Sequence, residues 1–362
     1  MTPSLQLTTS PKRTQPRAID NGSLIFRDML GVGAYGSVYK AFDMTSGQLV
    51  AVKCLTTSGL DSRQRAFQTH EAELHRLVSG HPNIATLHKV VEEDGSLYMV
   101  LDCGVEGDLF YTITERGGFV GNELAIKSIF GQIASAVQHC HSKGVYHRDL
   151  KPENIIMFGK SVKLVDFGLA TSEPISSDFG CGSTFYLSPE CQGGYIVAVK
   201  SYDSAANDVW SLGVILINLV FGRNPWKQAC LRDETFVAYA HNNDFLQTIL
   251  PMSSELNEII KSVFCIDARK RISLADLVHR VQACKSFTSP DYAASTMPSA
   301  STTGTANGTI ATDTSSAAAT AAVTTTCTHG PIGSSCLLSD ERLCNGGDKE
   351  GQDSGVDLHS RT

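Results

Sequence analysis

From about residue 20 to residue 102 the apolar positions come in short runs broken by turn residues. Leu24-Ile25-Phe26 leads into a glycine loop. Ser37-Val38-Tyr39-Lys40-Ala41 follows, then a turn at Thr45-Ser46-Gly47, then Leu49-Val50-Ala51-Val52-Lys53. Such runs, bounded by turn chemistry, predict a β-meander. A helical spacing over about 63–78 ends before Gly80 and Pro82. Two more strands are predicted around Glu92-Glu93-Asp94-Gly95, the second being Leu97-Tyr98-Met99-Val100-Leu101. After Asp102 the helical period dominates, most clearly over 126–141 and 208–221. The order is a small β-rich lobe followed by a larger helical lobe, an α+β architecture without internal repeats.

The pattern stops near Phe287. From 288 to 362 the chain is mostly Ser, Thr, Ala and Gly, with no hydrophobic period. Such a segment cannot bury enough surface to fold alone, so a disordered tail is expected. Residues 1–19 are similarly polar, with Pro11, Pro16 and a basic cluster of Lys12, Arg13 and Arg17, and are expected to be flexible. Ser10-Pro11-Lys12-Arg13 resembles a proline-directed phosphosite, a pattern also common in solvated linkers. One folded block over about 20–287 remains, divided at 102/103.

The 362 residues, 42% apolar, suffice for a large core. A net charge of −7 argues against a general nucleic-acid binder, which carries a basic stripe. Eleven cysteines without a CxxC pair, and no secretory leader pattern, point to reduced thiols in the cytosol or nucleus. The sequons at Asn21 and Asn307 are then chance matches. The longest apolar run, 209–221, is too short to span a bilayer and contains Asn218, so a buried core helix is expected and no membrane partner.

Chemistry enters at Gly31-Val32-Gly33-Ala34-Tyr35-Gly36-Ser37-Val38. Glycines there let backbone N–H groups approach phosphate oxygens closely. A dinucleotide fold would follow them with a helix. Here a strand follows, which favours a flap over phosphates, although a bare hairpin would use the same residues. Lys53 ends the next strand. On the following helix Glu71 lies within the stripe of Phe67, Leu74 and Val78, whereas Glu73 lies off it. A carboxylate on an apolar face needs a partner, and Lys53 is the candidate; in another register Glu71 would simply be solvated.

The richest stretch is His147-Arg148-Asp149-Leu150-Lys151-Pro152-Glu153-Asn154, with Asp166-Phe167-Gly168 beyond a short strand. Asp149 can accept a hydroxyl proton. Lys151 can offset charge on a transferring phosphoryl group. Asn154 and Asp166 are oxygen ligands for magnesium. Phosphoryl transfer needs these parts in this order.

With these motifs the chain resembles the eukaryotic protein kinase family over about 20–287. The resemblance implies a two-lobed fold with ATP and Mg2+ in the cleft. Leu101 would be the gatekeeper, and Asp102-Cys103-Gly104 the hinge whose backbone meets adenine. Val38, Ala51 and Ile156 would line the cleft, and Asp108 would meet the ribose. Lys53, paired with Glu71, would hold the phosphates. Ser188-Pro189-Glu190 matches the substrate-binding segment, with Glu190 pairing with Arg271, and Asp208 would cap the catalytic-loop backbone. Lys151 after Asp149-Leu150 is the serine/threonine form, protein substrates with Ser or Thr acceptors are implied by the resemblance, and a monomer is expected. Within the family the chain is similar to fungal kinases tied to nutrient signalling and meiosis. The carrying residues are Gly180–Cys191, Gly222–Lys227, and the 245–251 stretch Phe245-Leu246…Ile249-Leu250-Pro251.

The chain also departs from the pattern. Where many relatives carry an activating phosphate that meets the catalytic-loop arginine, here Arg148, this chain has Phe179, with Asp178 beside it and Ser176 and Ser177 earlier. The expectation is that Asp178 holds Arg148, or that Arg148 is unpaired, and that phosphorylation there is not required. The Glu190 to Asp208 interval is long, with Gly193-Gly194-Tyr195 inside, and reads as a surface insertion that tunes specificity or is merely tolerated. Glu153 and Asp108 match positions that favour basic substrates, and a third such position is Asn218. A scaffold that keeps the fold without catalysis is the alternative. Lys53, Asp149, Asn154 and Asp166 are all present, which favours the enzyme.

Overall fold

The computed structural model describes residues 18–33 and 36–292. Ala34, Tyr35, Ser10, the basic cluster at 12–17 and most of the Ser/Thr/Ala-rich tail lie outside them.

The smaller lobe is one antiparallel sheet of β1 (Ala18–Ile19), β2 (Leu24–Gly33), β3 (Gly36–Asp43), β4 (Gln48–Thr56), β5 (Leu87–Glu93) and β6 (Ser96–Asp102), in the order β1-β2-β3-β4-β6-β5. Helix α1 (Ser62–Val78) crosses between β4 and β5. Alternation along β4 decides its two faces. Val50 and Val52 join Leu24, Phe26, Tyr98 and Val100 on one side. Ala51 and Leu55 join Leu97, Met99, Leu101 and Ala72 of α1 on the other. Lys53, between Ala51 and Leu55, therefore faces α1.

Helix α1 begins with a reciprocal cap: Asp61 accepts from the Gln64 N–H, and the Gln64 side chain accepts from the Asp61 N–H. Residues 62–67 are exposed throughout, and packing begins only at Glu71, Ala72, Leu74, His75 and Val78. Phe67, expected on the buried stripe, is 44% exposed for this reason. The periodicity is right, but residues 62–67 lie outside the buried part of the helix.

The larger lobe contains α2 (Leu109–Glu115), α3 (Glu123–Ser142), the hairpin β7 (Ile155–Phe158) and β8 (Ser161–Leu164), the short pair β9 (Ile175–Ser176) and β10 (Tyr202–Asp203), α4 (Ser204–Phe221), α5 (Glu234–His241), α6 (Phe245–Ile249), α7 (Ser254–Val263) and α8 (Leu274–Ala283). Its core runs from Ile129, Phe130 and Ile133 of α3 to Trp210, Leu212 and Ile215 of α4, and on to Phe236, Phe264 and Phe287. Among the described residues α4 is the one helix long and apolar enough to cross a membrane, and it is almost wholly buried at the centre of this lobe. Asp203 caps its start and Gly222, at φ 70°, ends it. Glu190 and Arg271 pair at 2.5 and 3.1 Å, tying the Ser188-Pro189-Glu190 segment to the base of the lobe.

Folded chain extends slightly beyond the compositional boundaries. Ala18 pairs with Ile25, and the Ser289 N–H donates to the Pro251 carbonyl. Both contacts use backbone groups, which leave no trace in hydrophobic period. Within the long Glu190 to Asp208 interval, Tyr195 packs on Phe236 while Ile196 and Val197 are exposed.

Candidate active site

The loop 147–154 leads into β7, and its backbone is bent by a group far away in sequence. Asp208, fully buried in α4, accepts from the His147 and Arg148 N–H groups at 2.9 Å each and also meets the His141 ring at 2.9 Å. These bonds hold Arg148 at φ 64°, a left-handed conformation that costs a non-glycine residue about 1–2 kcal/mol. The bend delivers Asp149 to the cleft.

Asp149 is the hub of a buried network. Lys151 Nζ lies 2.7 Å from Oδ2, and the Asn154 amide donates to the Asp149 carbonyl and Oδ2 at 2.9 and 3.1 Å. Ser183 donates to Oδ1 through both its N–H (2.9 Å) and its hydroxyl (3.0 Å), while Lys151 donates to the same hydroxyl at 2.9 Å. Gly182 permits this approach. Its φ is 119°, and a Cβ there would lie 2.5 Å from the Arg148 carbonyl oxygen. Ser183 was not identified from sequence. The signal available was its place in Gly182-Ser183, between the catalytic loop and Ser188-Pro189-Glu190.

Strand alternation and the α1 stripe bring Lys53 to Glu71 at 2.6 Å, and Asp166 lies 2.7 Å from the same ammonium. Burial works against a charged Lys53, but Asp166 and Glu71 outweigh it and raise its pKa. Burial also opposes ionisation of Asp166, yet Lys53 overrides it and holds that carboxyl below its ordinary value. Glu71, the less exposed carboxylate, is pushed up by burial, with Lys53 opposing. Asp166, like Arg148, has positive φ, at 63°. Phe167 beside it is buried between the rings of His75 (4.6 Å) and His147 (5.0 Å). His75 sits one turn beyond Glu71, and its role as a core residue was not foreseen. Its Nε2 meets the Ala85 carbonyl at 2.6 Å, and burial lowers its pKa to about 4.

The remaining expected residues gather around the same cleft. Val38 pairs with Lys53 across β3 and β4, and Ala51 with Leu101 across β4 and β6. Gly31 and Gly33 lie on β2 and Gly36 on β3, with Val32 70% exposed at the rim. A Cβ on Gly36 would collide with the Cys54 carbonyl. Asp108 bridges to Ile156, bringing β7 beside the Asp102-Cys103-Gly104 stretch. The Asp102 carboxylate is engaged by Lys163 (2.6 Å), His88 (2.8 Å) and the Thr86 N–H (2.9 Å), and its own N–H donates to the Thr86 carbonyl at 3.3 Å. One Asp108 oxygen caps α2 through the Tyr111 N–H at 2.7 Å. Asn218 does not face a substrate. It is buried, accepts from the Tyr186 hydroxyl at 3.1 Å and donates to the Arg223 carbonyl at 3.0 Å. Its place near the end of the core helix turns it inward.

Arg148 donates to the Leu169 carbonyl (2.7 Å) and the Ser176 hydroxyl (3.2 Å), and its contact with Asp178 is longer, at 3.4 Å. Asp178, or no partner at all, was expected for Arg148. Ser176, 1% exposed, was not expected in that role.

Two oxygen donors fit magnesium, a hard ion that takes one or two protein oxygens beside phosphates and water. With its amide NH2 committed to Asp149, Asn154 has its carbonyl oxygen left for ligation. The Asp166 side chain is 39% exposed towards the cleft.

The protein kinase domain family matches residues 25–281, nearly the whole folded block. The chain belongs to the protein kinase family. It is 48% identical over 286 residues to the negative regulator of sexual conjugation and meiosis of Schizosaccharomyces pombe, covering 74% of this chain and 61% of that protein. It is 36% identical over 232 residues to the serine/threonine-protein kinase VHS1 of Saccharomyces cerevisiae, covering 60% and 50%. It is 35% identical over 253 residues to the SNF-related serine/threonine-protein kinase of Rattus norvegicus, covering 68% and 32%. The chain thus spans from a third to three fifths of the length of these relatives.

Proposed function

We propose that the chain is a serine/threonine protein kinase that transfers the γ-phosphate of ATP to protein hydroxyls. The observation that carries this reading is the assembled state of both halves of the site. Lys53 is bridged at once to Glu71 and Asp166, and Asp149 is held by Lys151, Asn154 and Ser183. A scaffold has no need of a buried lysine shared between two carboxylates, an arrangement whose desolvation cost only close geometry and hydrogen bonds offset.

In the proposed step the substrate hydroxyl passes its proton to Asp149 while its oxygen bonds to the γ-phosphorus. The bond from that phosphorus to the β,γ-bridging oxygen breaks, and ADP leaves with the electron pair. Lys151 offsets charge at the transferring group, and Lys53, fixed by Glu71, holds the α- and β-phosphates. Asn154 and Asp166 would hold magnesium, which would supply neutralisation of phosphate charge. Gly31, Gly33 and Gly36 cover the phosphates, and Leu101, Cys103 and Ile156 border the base. Glu153, exposed beside the catalytic loop, and Asp108 support a mild preference for basic substrates without help from Asn218. A cytosolic or nuclear setting is part of the proposal, on the odd cysteine count.

Transfer of labelled γ-phosphate from Mg-ATP to a basic protein substrate tests this. Transfer onto Ser or Thr that vanishes in Asp166→Ala is expected. ATP binding without transfer, in the presence of candidate activators, would favour the scaffold.

A further inference from the structure

Arg148 and the segment after it raise a question of support. Phe179 stands where an activating phosphate would be expected, and the Asp178 contact is long and 67% exposed on the carboxylate side. An ion pair this long, with its carboxylate in solvent, holds little. Yet residues 173–183 must be held, since Ser183 reaches Asp149 from their far end.

We propose that Tyr202 is the positioning residue that holds this segment. It rests on the kinase reading above. Tyr202 is 3% exposed, and its hydroxyl donates to the Asp178 carbonyl at 3.1 Å. Its ring lies 5.9 Å from that of Phe179, and its oxygen faces the Arg148 guanidinium. Its own backbone pairs with Ser176, β10 against β9. Next to it, Ser204 donates its N–H to the Pro174 carbonyl (2.9 Å) and its hydroxyl to the Glu173 carbonyl (2.8 Å). Asp203 caps α4 through the Ala206 N–H at 2.9 Å. The start of the most buried helix in the lobe thus reaches out as a strap across residues 173–178. Farther along, the Gly180 N–H donates to the Cys191 carbonyl at 2.8 Å, closing the loop towards Ser183. Apart from the Tyr202 oxygen facing Arg148, the strap is made of neutral hydrogen bonds and strand pairing, so it needs no added phosphate. Ser176 is shielded within it, which agrees with a segment that is not completed by phosphorylation at that hydroxyl.

The test is Tyr202→Phe in the full chain after phosphatase treatment, with Asp178→Ala and treated wild type beside it. The change removes one hydroxyl and keeps the ring. The expected result is a loss of at least about five- to tenfold in kcat/KM for the protein substrate, the worth of the bond to the Asp178 carbonyl, with the lost contact to Arg148 adding to it. KM for ATP should stay within about twofold, because Lys53 and Asp166 are untouched. Amide deuterium exchange should quicken at 176–183 and nowhere in the sheet. Asp178→Ala should lose less than Tyr202→Phe. The proposal is overturned by wild-type kcat/KM and exchange in Tyr202→Phe. It is also overturned if the variant's melting point and both KM values worsen together, or if phosphatase abolishes wild-type activity. Absence of transfer by the untreated wild type would refute the kinase reading instead, and the exchange comparison would still decide this one.

Discussion

Asp208→Asn is the sharpest single perturbation of the catalytic loop. The native carboxylate is fully buried and serves two backbone N–H groups and the His141 ring. Asparagine has the same shape but only one acceptor oxygen. Placed at the Oδ2 site it keeps His147 and His141, and its NH2 then faces the Arg148 N–H, donor against donor. A hydrogen bond to a charged acceptor is lost and a buried N–H is left without a partner, a cost of about 2–4 kcal/mol. At roughly 2–4 °C per kcal/mol for a domain of this size, the melting point should fall by about 5–15 °C. With a typical stability of about 5–15 kcal/mol the variant stays folded at 25 °C. Freed from Asp208, Arg148 relaxes from its positive φ and shifts Asp149. A displacement on the order of 1 Å costs roughly a hundredfold in rate. The assay is a thermal melt paired with kcat at 25 °C, ATP and substrate both saturating. A melting point lowered as expected with kcat within about twofold of wild type would show that Asp208 stabilises the lobe without aiming Asp149. An unchanged melting point would refute the hydrogen-bond argument itself.

Three further outcomes follow from the same geometry. Glu71→Gln removes one of the two charges on Lys53 and should raise KM for ATP and lower kcat, together by roughly ten- to a hundredfold in kcat/KM, with the protein still folded by circular dichroism; unchanged kinetics would mean that Asp166 suffices. Ser183→Ala removes the hydroxyl shared by Asp149 and Lys151 but keeps the N–H bond, so kcat should fall by about five- to thirtyfold while KM for ATP is unaffected; a rise in KM for ATP alone would contradict its placement. His75 is neutral in the fold, with a pKa near 4 against an ordinary value of 6.5. Between those values the unfolded chain binds the extra proton, so stability should fall as pH drops from about 6.5 to 4, by on the order of 3 kcal/mol from this group; His75→Leu should flatten that limb of the melting-point profile, and an unchanged slope would refute the assignment.

Much of the site was legible because strong local rules agreed. Alternation on β4 points Lys53 and Ala51 to the same face, and the α1 stripe picks Glu71 over Glu73. The order of Asp149, Lys151, Asn154 and Asp166 carries its own chemistry. Three contacts were not legible. Ser183 on Asp149, Ser176 on Arg148 and Tyr202 on Asp178 span 34, 28 and 24 residues, and each involves a hydroxyl in a segment with no hydrophobic period. His75 drew no reading from the sequence, although burial against Phe167 makes it core. Phe67 was expected buried and is exposed, whereas Asn218 was expected to meet a substrate and is buried. Period gives the angular position of a side chain on its own helix, and whether a neighbour covers that position depends on the rest of the chain.

What the chain carries in its sequence is the order of lobes, the faces of β4 and α1, and the kinds of groups available for phosphoryl transfer, since alternation, caps and residue chemistry are local. What the tertiary structure decides is which of those groups meet. Lys53 and Asp166 are 113 residues apart yet share an ion pair, and Asp208 bends a loop 60 residues before it. Such contacts exist only once the sheet, α1 and α4 have closed on each other, because closure buries the polar groups and leaves them no partners except one another.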